Sequence, residues 1–480
     1  MKTFYFLFFL AFIMNLYVIS QQTNLLSGNI NTAYRIGLRD GEWLWNENKI
    51  NIFLNKNFEE RAKIKSEIWF RNLSFNENEL QIREAKVEIY DFLFKNVDLT
   101  IGRQRIKWGT ADKLNHTDNI NSYDFEDVFD FGKHLSSDAI RIKYYNEKFN
   151  IDYVLELNHK DYKMPLGKYA SIFETNFNFP DSFLVNASIQ QNDLIIPLPP
   201  FYVRSYVNNV FLHLDKSNLN VFKNSISNGL KVSTHIKGID FSISYLYSYY
   251  HFPIPSFTNI TLDSFIIGNE NNAYLTINTN LIYPRFHFIG FDLSTSIKDV
   301  GLWFELCNFV PNKEYKNVYN LSESKDMLNN LGLPPNTNII FSTNLPEDSL
   351  IFRPKDFWTK FVIGTDYSFK NNIYVNIQYS RGFIFEQLNK NLNNYILFSL
   401  EKRLLEDKLK IQPINMCFCF KELDLINKKF TMIWFPEILY FPNINTEISL
   451  SASIIEGEGD LIFNRLKDLK SVNFRIKFSF

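Results

Sequence analysis

The stretch SVNFRIKFSF, residues 471–480, decides the fold. Val472, Phe474, Ile476, Phe478 and Phe480 fall on one side of an extended chain, and Asn473, Arg475, Lys477 and Ser479 on the other. Side chains of a strand alternate between its faces, so this segment presents one apolar face that something has to cover. A soluble β-sandwich could use such a strand once. Here the alternation repeats upstream, near 28–36, 49–56, 62–73, 80–92, 95–105, 137–146, 150–158, 228–237, 239–250, 284–295, 299–310, 358–369, 373–383, 394–404, 408–420, 428–440 and 446–456.

These make about 18 segments of roughly ten residues, the length a tilted strand needs to cross a bilayer. The connections between them sort by parity. NEK (146–148), KG (237–238), KD (298–299), KNN (370–372), EDK (406–408) and PNIN (442–445) are tight polar turns. The long connections 106–136, 159–227, 251–283, 311–357 and 457–469 all fall on the opposite end. Short inner turns and long outer loops characterise outer-membrane barrels, and the terminal segment ending in Phe480 resembles their closing strand. The fold class expected is therefore all-β: a transmembrane antiparallel β-barrel of about 18 strands, with short periplasmic turns and long extracellular loops. VNNVFLHLD (207–215) and NNAYLTINTNLIYP (271–284) are also β-like. As loop hairpins they leave the count at about 18; as wall strands they change it to 16 or 20.

Composition agrees with a barrel. Among 480 residues there are 48 Phe and 25 Tyr, yet beyond the first twenty positions no run approaches the ~18 apolar residues of a membrane helix. FTMIWFPEILYFP (430–442) is too short and contains Pro436 and Glu437. Lys and Arg number 51 against 52 Asp and Glu, with no basic stripe, so nucleic acid is not an expected partner. Lys2, the apolar run Phe4–Ile13 and the small residue Ser20 fit a secretory signal peptide over 1–20, with one barrel domain over 21–480. Asn15 interrupts the apolar core and argues against the alternative, an anchoring helix. Cys307, Cys417 and Cys419 form no disulfide framework; the last two share one face of a strand and read as small pore-facing or packing residues.

A barrel divides side chains into lipid-facing and lumen-facing sets. Ala85, Val87 and Ile89 are expected outside, with Glu84, Lys86 and Glu88 inside. Ile140, Ile142 and Tyr144 point out, with Arg141 and Lys143 in; Leu302, Phe304 and Leu306 point out, with Trp303, Glu305 and Cys307 in. Arg or Lys at the lipid-facing midplane costs ~2–4 kcal/mol, so these charges belong in water. In LTIGRQRIKWGTADKLNHTD (99–118), strict alternation from Leu99 and Ile101 places Arg103 and Arg105 towards lipid. They escape it if they lie above the apolar band or if the strand bulges at Gly102. Arg103, Arg105 and Lys107 are then expected to tie the following loop to Glu84 or to Asp112, Asp118 and Asp124. Bracing of the rim is preferred over narrowing of the pore.

Other chemistry is weakly signalled. The histidines are scattered and read as solvated loop or strand residues. There is no G-x-S-x-G elbow, so no catalytic residue and no enzyme is expected. The acidic run Asp118, Asp124, Glu126, Asp127 and Asp130 could hold Ca²⁺, but its spacing does not match an EF-hand, and a solvated outer loop is the preferred reading; no metal or cofactor is expected.

The pattern REA, a short turn, then G-R-Q-x-I-x-W-G-x-x-D resembles a porin-like family of largely uncharacterised bacterial outer-membrane barrels, distantly similar to alginate-export-type barrels. Arg83, Glu84, Ala85, Gly102, Arg103, Gln104, Ile106, Trp108, Gly109, Asp112, Asn115, Asp118, Asn121 and Asp124 carry it. The resemblance implies a channel but no particular solute. The function expected is diffusion of small polar solutes through a mixed-charge lumen. The alternatives are a surface-exposed binding or structural barrel with a loop-plugged lumen and, further off, an outer-membrane hydrolase. Partners expected are outer-membrane lipid and lipopolysaccharide, the barrel-assembly machinery through the strand ending at Phe480, and small polar solutes.

Overall fold

A computed structural model describes residues 25–73, 77–173, 182–191, 194–197, 199–266, 272–323, 337–343, 351–422 and 429–480; the expected signal peptide at 1–20 lies outside them. Strand alternation closes a single wall of eighteen strands. In chain order they are β1 (Leu26–Gly37), β2 (Trp43–Phe58), β3 (Ala62–Leu73), β4 (Glu77–Ile89), β5 (Val97–Gln104), β6 (Ser137–Tyr145), β7 (Phe149–Glu156), β8 (Ser227–Ile236) and β9 (Ile239–Tyr249). They continue as β10 (Arg285–Ile297), β11 (Val300–Pro311), β12 (Trp358–Phe369), β13 (Ile373–Arg381), β14 (Asn394–Leu404), β15 (Leu409–Phe420), β16 (Phe430–Trp434 and Glu437–Asn443), β17 (Thr446–Glu458) and β18 (Ser471–Ser479).

Every strand pairs antiparallel with its sequence neighbour, and β18 closes on β1 in unbroken register from Asn29↔Ser479 to Gly37↔Ser471. Closure removes both sheet edges, as a hydrocarbon environment demands. β16 is interrupted at Phe435–Pro436, where proline has no N–H to give the ladder, and both pieces keep their pairing to β15 and β17.

The parity of the connections holds. At the short-turn end Lys237 and Gly238, Lys298, and Asn372 take positive φ, the geometry of tight hairpin turns. The outward positions form an exposed apolar surface, with Phe70, Ile82, Val87, Ile101, Ile142, Ile243, Ile289, Ile363 and Phe474 among them. Such a surface suits lipid and not water.

The β-like segments at 207–215 and 271–284 lie outside the wall, which leaves the count at eighteen. Phe201–Leu214 and Asn272–Ile282 pair with each other in parallel and belong to a second, seven-stranded sheet. That sheet is assembled from the loops following β7, β9 and β11. None of the described helices is long and apolar enough to cross a membrane.

The buried core of the molecule lies inside the barrel, near the loop end. Tyr123, Phe125, Tyr169, Phe252, Phe286, Phe309, Trp358, Phe383 and Phe463 form one continuous cluster. These residues come from inward-turned loops and from the lumen faces of β10, β11 and β12. Cys417 and Cys419 join the cluster on one face of β15, as free, buried thiols.

Candidate functional site: the inward loop and the remaining lumen

The residues between β5 and β6, 105–136, leave the wall and fold into the lumen. Their route is set at Gly102 and Gly109. Gly102 has φ +121°, and a Cβ there would lie 2.2 Å from the carbonyl oxygen of Ala85. Gly109 has φ +86°, and a Cβ there would come within 2.3–2.6 Å of Thr117, Asn115 and Glu305. Only glycine takes such a conformation in such a space without strain. Between them Trp108 is buried; its ring packs on Gly229, and its Nε1 donates to Asp152 Oδ2 at 3.1 Å.

The loop docks on the far wall through Glu305 of β11. Glu305 Oε1 accepts the backbone N–H groups of Thr110 (2.5 Å) and Ala111 (2.6 Å), and Oε2 those of His116 (2.9 Å) and Thr117 (3.3 Å). A buried backbone N–H left without its acceptor costs about 1–3 kcal/mol, so this one carboxyl group latches both arms of the turn. Asn121 fastens the base. It accepts from Ile106 N and Arg105 Nη1 and donates to Gln104 O and Ser137 Oγ.

The acidic run meets a row of cations instead of water. Asp118 pairs with Arg105, Asp124 with Arg83 and Lys133, Glu126 with Arg71 and Lys163, and Asp127 with Arg35. Arg35, Arg71 and Arg83 belong to β1, β3 and β4, and the Arg35 guanidinium also lies over the rings of Phe129 and Tyr169. Burial alone would raise these carboxyls; the paired cations override it and hold all four below the ordinary carboxylate range. Two expectations are thereby corrected. From Asp118 to Asp127 the run is an internal buttress and not a solvated loop, while Asp130 is exposed on the cavity described below; and the loop fills part of the lumen where bracing of the rim was preferred. Among the described residues no three potential ligands converge on a metal site.

The remaining sequence candidates scatter around this latch. Glu84 is buried, accepts Arg105 N at 2.9 Å and sits 3.2 Å from Lys65. Lys86 lies between Glu84 and Glu88 on the lumen face of β4. Arg141 holds Asp152, which stands opposite Lys143 in the β6–β7 register. Arg103 does not join the loop. It stays on the outward face at the loop end of β5 and forms a bidentate pair with Asp138 (2.8 and 3.0 Å). The register through Gly102 is unbroken, so the bulge expected there is absent. The bulge is instead in β4, where Arg83 is the extra residue between Ile82 and Glu84 and so turns inward beside its neighbour. Lys107 and Asp112 are exposed and form no ion pair among the described residues.

The expectation of solvated histidines is also corrected for three of them. His116, His134 and His251 are buried. His116 Nε2 lies 2.7 Å from Ser380 Oγ, but that hydroxyl is also 3.1 Å from Gly382 O, so a proton donated there points away from the imidazole. His251 Nδ1 meets Ser122 Oγ at 3.1 Å, while its Nε2 bonds to the Asn119 carbonyl and to no carboxylate. Neither pair has the orienting acid of a hydrolase triad.

What stays open is polar. A cavity of about 490 Å³ and an adjoining one of about 230 Å³ lie between the inward loop and the wall formed by β1–β3 and β13–β18. Both are bordered by Arg35, Asp127, Asp130, Glu437, Asn473 and Arg475; Lys113 borders the larger. The alternation of residues 471–480 puts Asn473 and Arg475 on one polar face, but the sequence reading missed Arg35 and Asp127 as their partners. The alternation Asn31, Ala33, Arg35 on β1 was the available signal.

No family model matches this chain, and no curated protein sequence does. Solved structures do align over almost the whole length. A mutant of the Rh. blastica porin is 7% identical with a TM-score of 0.38, covering 95% of this chain and 99% of that one. A structure titled "Asymmetric conductivity of engineered proteins" is 8% identical at 0.38, with coverage of 95% and 99%. A loop-deletion mutant of OmpT, an outer membrane protein of Vibrio cholerae, is 7% identical at 0.39, with coverage of 95% and 98%.

Proposed function

We propose that this chain is an outer-membrane channel of porin type. Small polar solutes diffuse through its lumen, and the inward loop 105–136 sets the constriction. The observation that carries the reading is the pair of polar cavities left between that loop and the wall. Arg35, Lys113 and Arg475 face Asp127, Asp130 and Glu437 there. Lys49, Arg71, Lys133 and Glu47 also border the smaller cavity, so six cations stand against four acids, a mixed lining that supports weak ion selectivity. The same reading puts the protein in the bacterial outer membrane after removal of a signal peptide, as one barrel domain delivered by the assembly machinery through the strand ending at Phe480.

Purified protein in planar bilayers is expected to give discrete, ohmic conductance steps. A barrel that inserts and stays insulating would sink the proposal. The aromatic cluster above the cavities favours one competing reading, a plugged barrel that displays its outer sheet for binding. Shortening 106–136 separates the two: a channel gains conductance over a conducting parent, whereas a plugged barrel conducts only after the loop is cut.

A further inference from the structure

We propose that a groove on the outside of the barrel, at its loop end, binds the phosphate-bearing headgroup of an outer-leaflet lipid. The groove has a volume of about 490 Å³ and is walled by Tyr247 and Tyr249 of β9, Arg285 of β10, Lys313 and Tyr315 just after β11, and Lys223 from the loop following β7. In β9 and β10 the lumen side is taken by Ser244, Leu246 and Ser248 and by Phe286 and Phe288, all buried. Tyr245, Tyr247, Arg285 and Ile289 therefore point away from the lumen.

The vertical order on this face is that of a membrane interface. Ile239, Ile243 and Ile297 are exposed towards the short-turn end, Tyr245 and His287 come nearer the loop end, joined by a 2.7 Å hydrogen bond, and Arg285 lies beyond them at the end of β10. Aromatic side chains at this level mark the boundary between hydrocarbon and headgroups. Val221 and Phe222 are exposed beside Lys223, so that loop too offers apolar side chains next to a charge.

Arg285 and Lys313 are held in place, and none of the three cations is neutralised. The Arg285 guanidinium lies 4.2 Å from the Tyr249 ring centroid and 5.0 Å from that of Tyr247, and Nη2 donates to the carbonyls of Asn224 and Ile226. Tyr315 accepts Arg285 N at 2.8 Å and donates to Asn312 at 2.6 Å, and Lys313 lies 5.4 Å from the Tyr315 ring. Arg285, Lys223 and Lys313 form no ion pair among the described residues, whereas Arg35, Arg71, Arg83 and Arg105 inside the barrel each hold a carboxylate. One carboxylate, Asp215, borders the groove, and its Oδ1 accepts Ser217 N. Three cations and one acid at headgroup level, around a space large enough for a sugar phosphate, are complementary to a phosphomonoester.

The inference rests on the membrane reading, so the test begins by checking insertion of the full chain into vesicles by heat-modifiable gel mobility. Inserted wild type and K223Q/K313Q are then compared for binding of fluorescent diphosphorylated lipid A, with R285Q as a separate variant. Expected is at least tenfold weaker binding by each variant, and weak binding of the dephosphorylated lipid to all three proteins. Equal binding by wild type and K223Q/K313Q, or undiminished binding of the dephosphorylated lipid, would overturn the proposal. Displacement of the lipid by millimolar inorganic phosphate would assign the groove to a soluble phosphate and overturn it as well. A chain that never inserts refutes the membrane reading itself, which an inserted chain indifferent to phosphate does not.

Discussion

Acid is expected to release the inward loop from the lumen. His134, within the loop, and His251, at the end of β9, flank the Tyr123 ring, with centroids 4.3 and 5.6 Å from it. Burial in this aromatic packing is the main cause that pushes both imidazoles down, to about 4 for His134 and about 3 for His251. Asp118 offsets part of that effect, and Arg105 opposes a proton at both sites. A histidine whose docked pKa lies below its solvated value of 6.5 stabilises the docked loop fully above pH 6.5. That stabilisation is lost as pH falls from 6.5 towards the depressed value, because the released loop takes up protons that the docked loop refuses. At pH 4.5 the loss is roughly 2–3 kcal/mol per histidine, about 5 kcal/mol for the two, or a factor of 10³–10⁴ in the released population.

The carboxylates paired with Arg105, Arg83, Arg71 and Arg35 are depressed, so their contribution disappears only below about pH 4 and does not confuse this window. Asp130, raised by its partly desolvated place inside the lumen, acts the other way. Hydrogen exchange of the backbone amides of 105–136, corrected for the intrinsic pH dependence, reads the opening free energy directly. It is expected to fall by several kcal/mol between pH 7 and 4.5 in wild type, and to stay near level only in H116Q/H134Q/H251Q, because burial also holds His116 of the same loop well below its ordinary value. A wild-type loop whose protection is flat over that range, or a triple variant that tracks wild type, would refute the reasoning.

Removing the Glu305 carboxylate takes the acceptor from four backbone N–H groups. E305A is expected to weaken loop docking by roughly 3–5 kcal/mol and to raise single-channel conductance, with the barrel still heat-modifiable on gels. G109A forces a Cβ into the contacts described above at positive φ; at a cost of about 2 kcal/mol or more it should loosen the same loop in exchange experiments. R103A breaks a half-exposed pair with Asp138 on the outer face. It should cost no more than about 1 kcal/mol in urea unfolding and leave conductance unchanged. R35Q leaves Asp127 unpaired beside the cavity, and reversal potentials in a KCl gradient should shift towards cations.

The wall was legible because a barrel strand states its environment locally. Alternate residues meet lipid and water, so Val472 to Phe480 or Ile140 to Tyr144 reveal their faces without reference to any other part of the chain. The inward loop was not legible by the same means. Asp127 finds Arg35 across 92 positions, and Thr110 finds Glu305 across 195, while a run of acids read alone looks solvated. The expected bulge went astray for a related reason. Gly102 does need its glycine, but to let the Ala85 carbonyl approach, and the irregularity that frees a charge from the wall falls on Arg83 one strand earlier.

One signal for the loop was nevertheless present in the strands. Near their loop ends the lumen faces of β1 to β4 carry Arg35, Lys49, Arg71 and Arg83, and Trp69 lies within 6 Å of the last three. Four cations on adjacent strands repel one another in a narrow, partly desolvated lumen unless anions meet them. A nearby stretch with matching acids is 118–130, with Asp118, Asp124, Glu126 and Asp127. The wall's own Glu47 and Glu79 pair with Lys49 and Arg71 but not with Arg35 or Arg83, so charge balance within the barrel favours entry of that stretch into the lumen, and the aromatic residues interleaved with the acids, Tyr123, Phe125 and Phe129, are what it can bury on arrival.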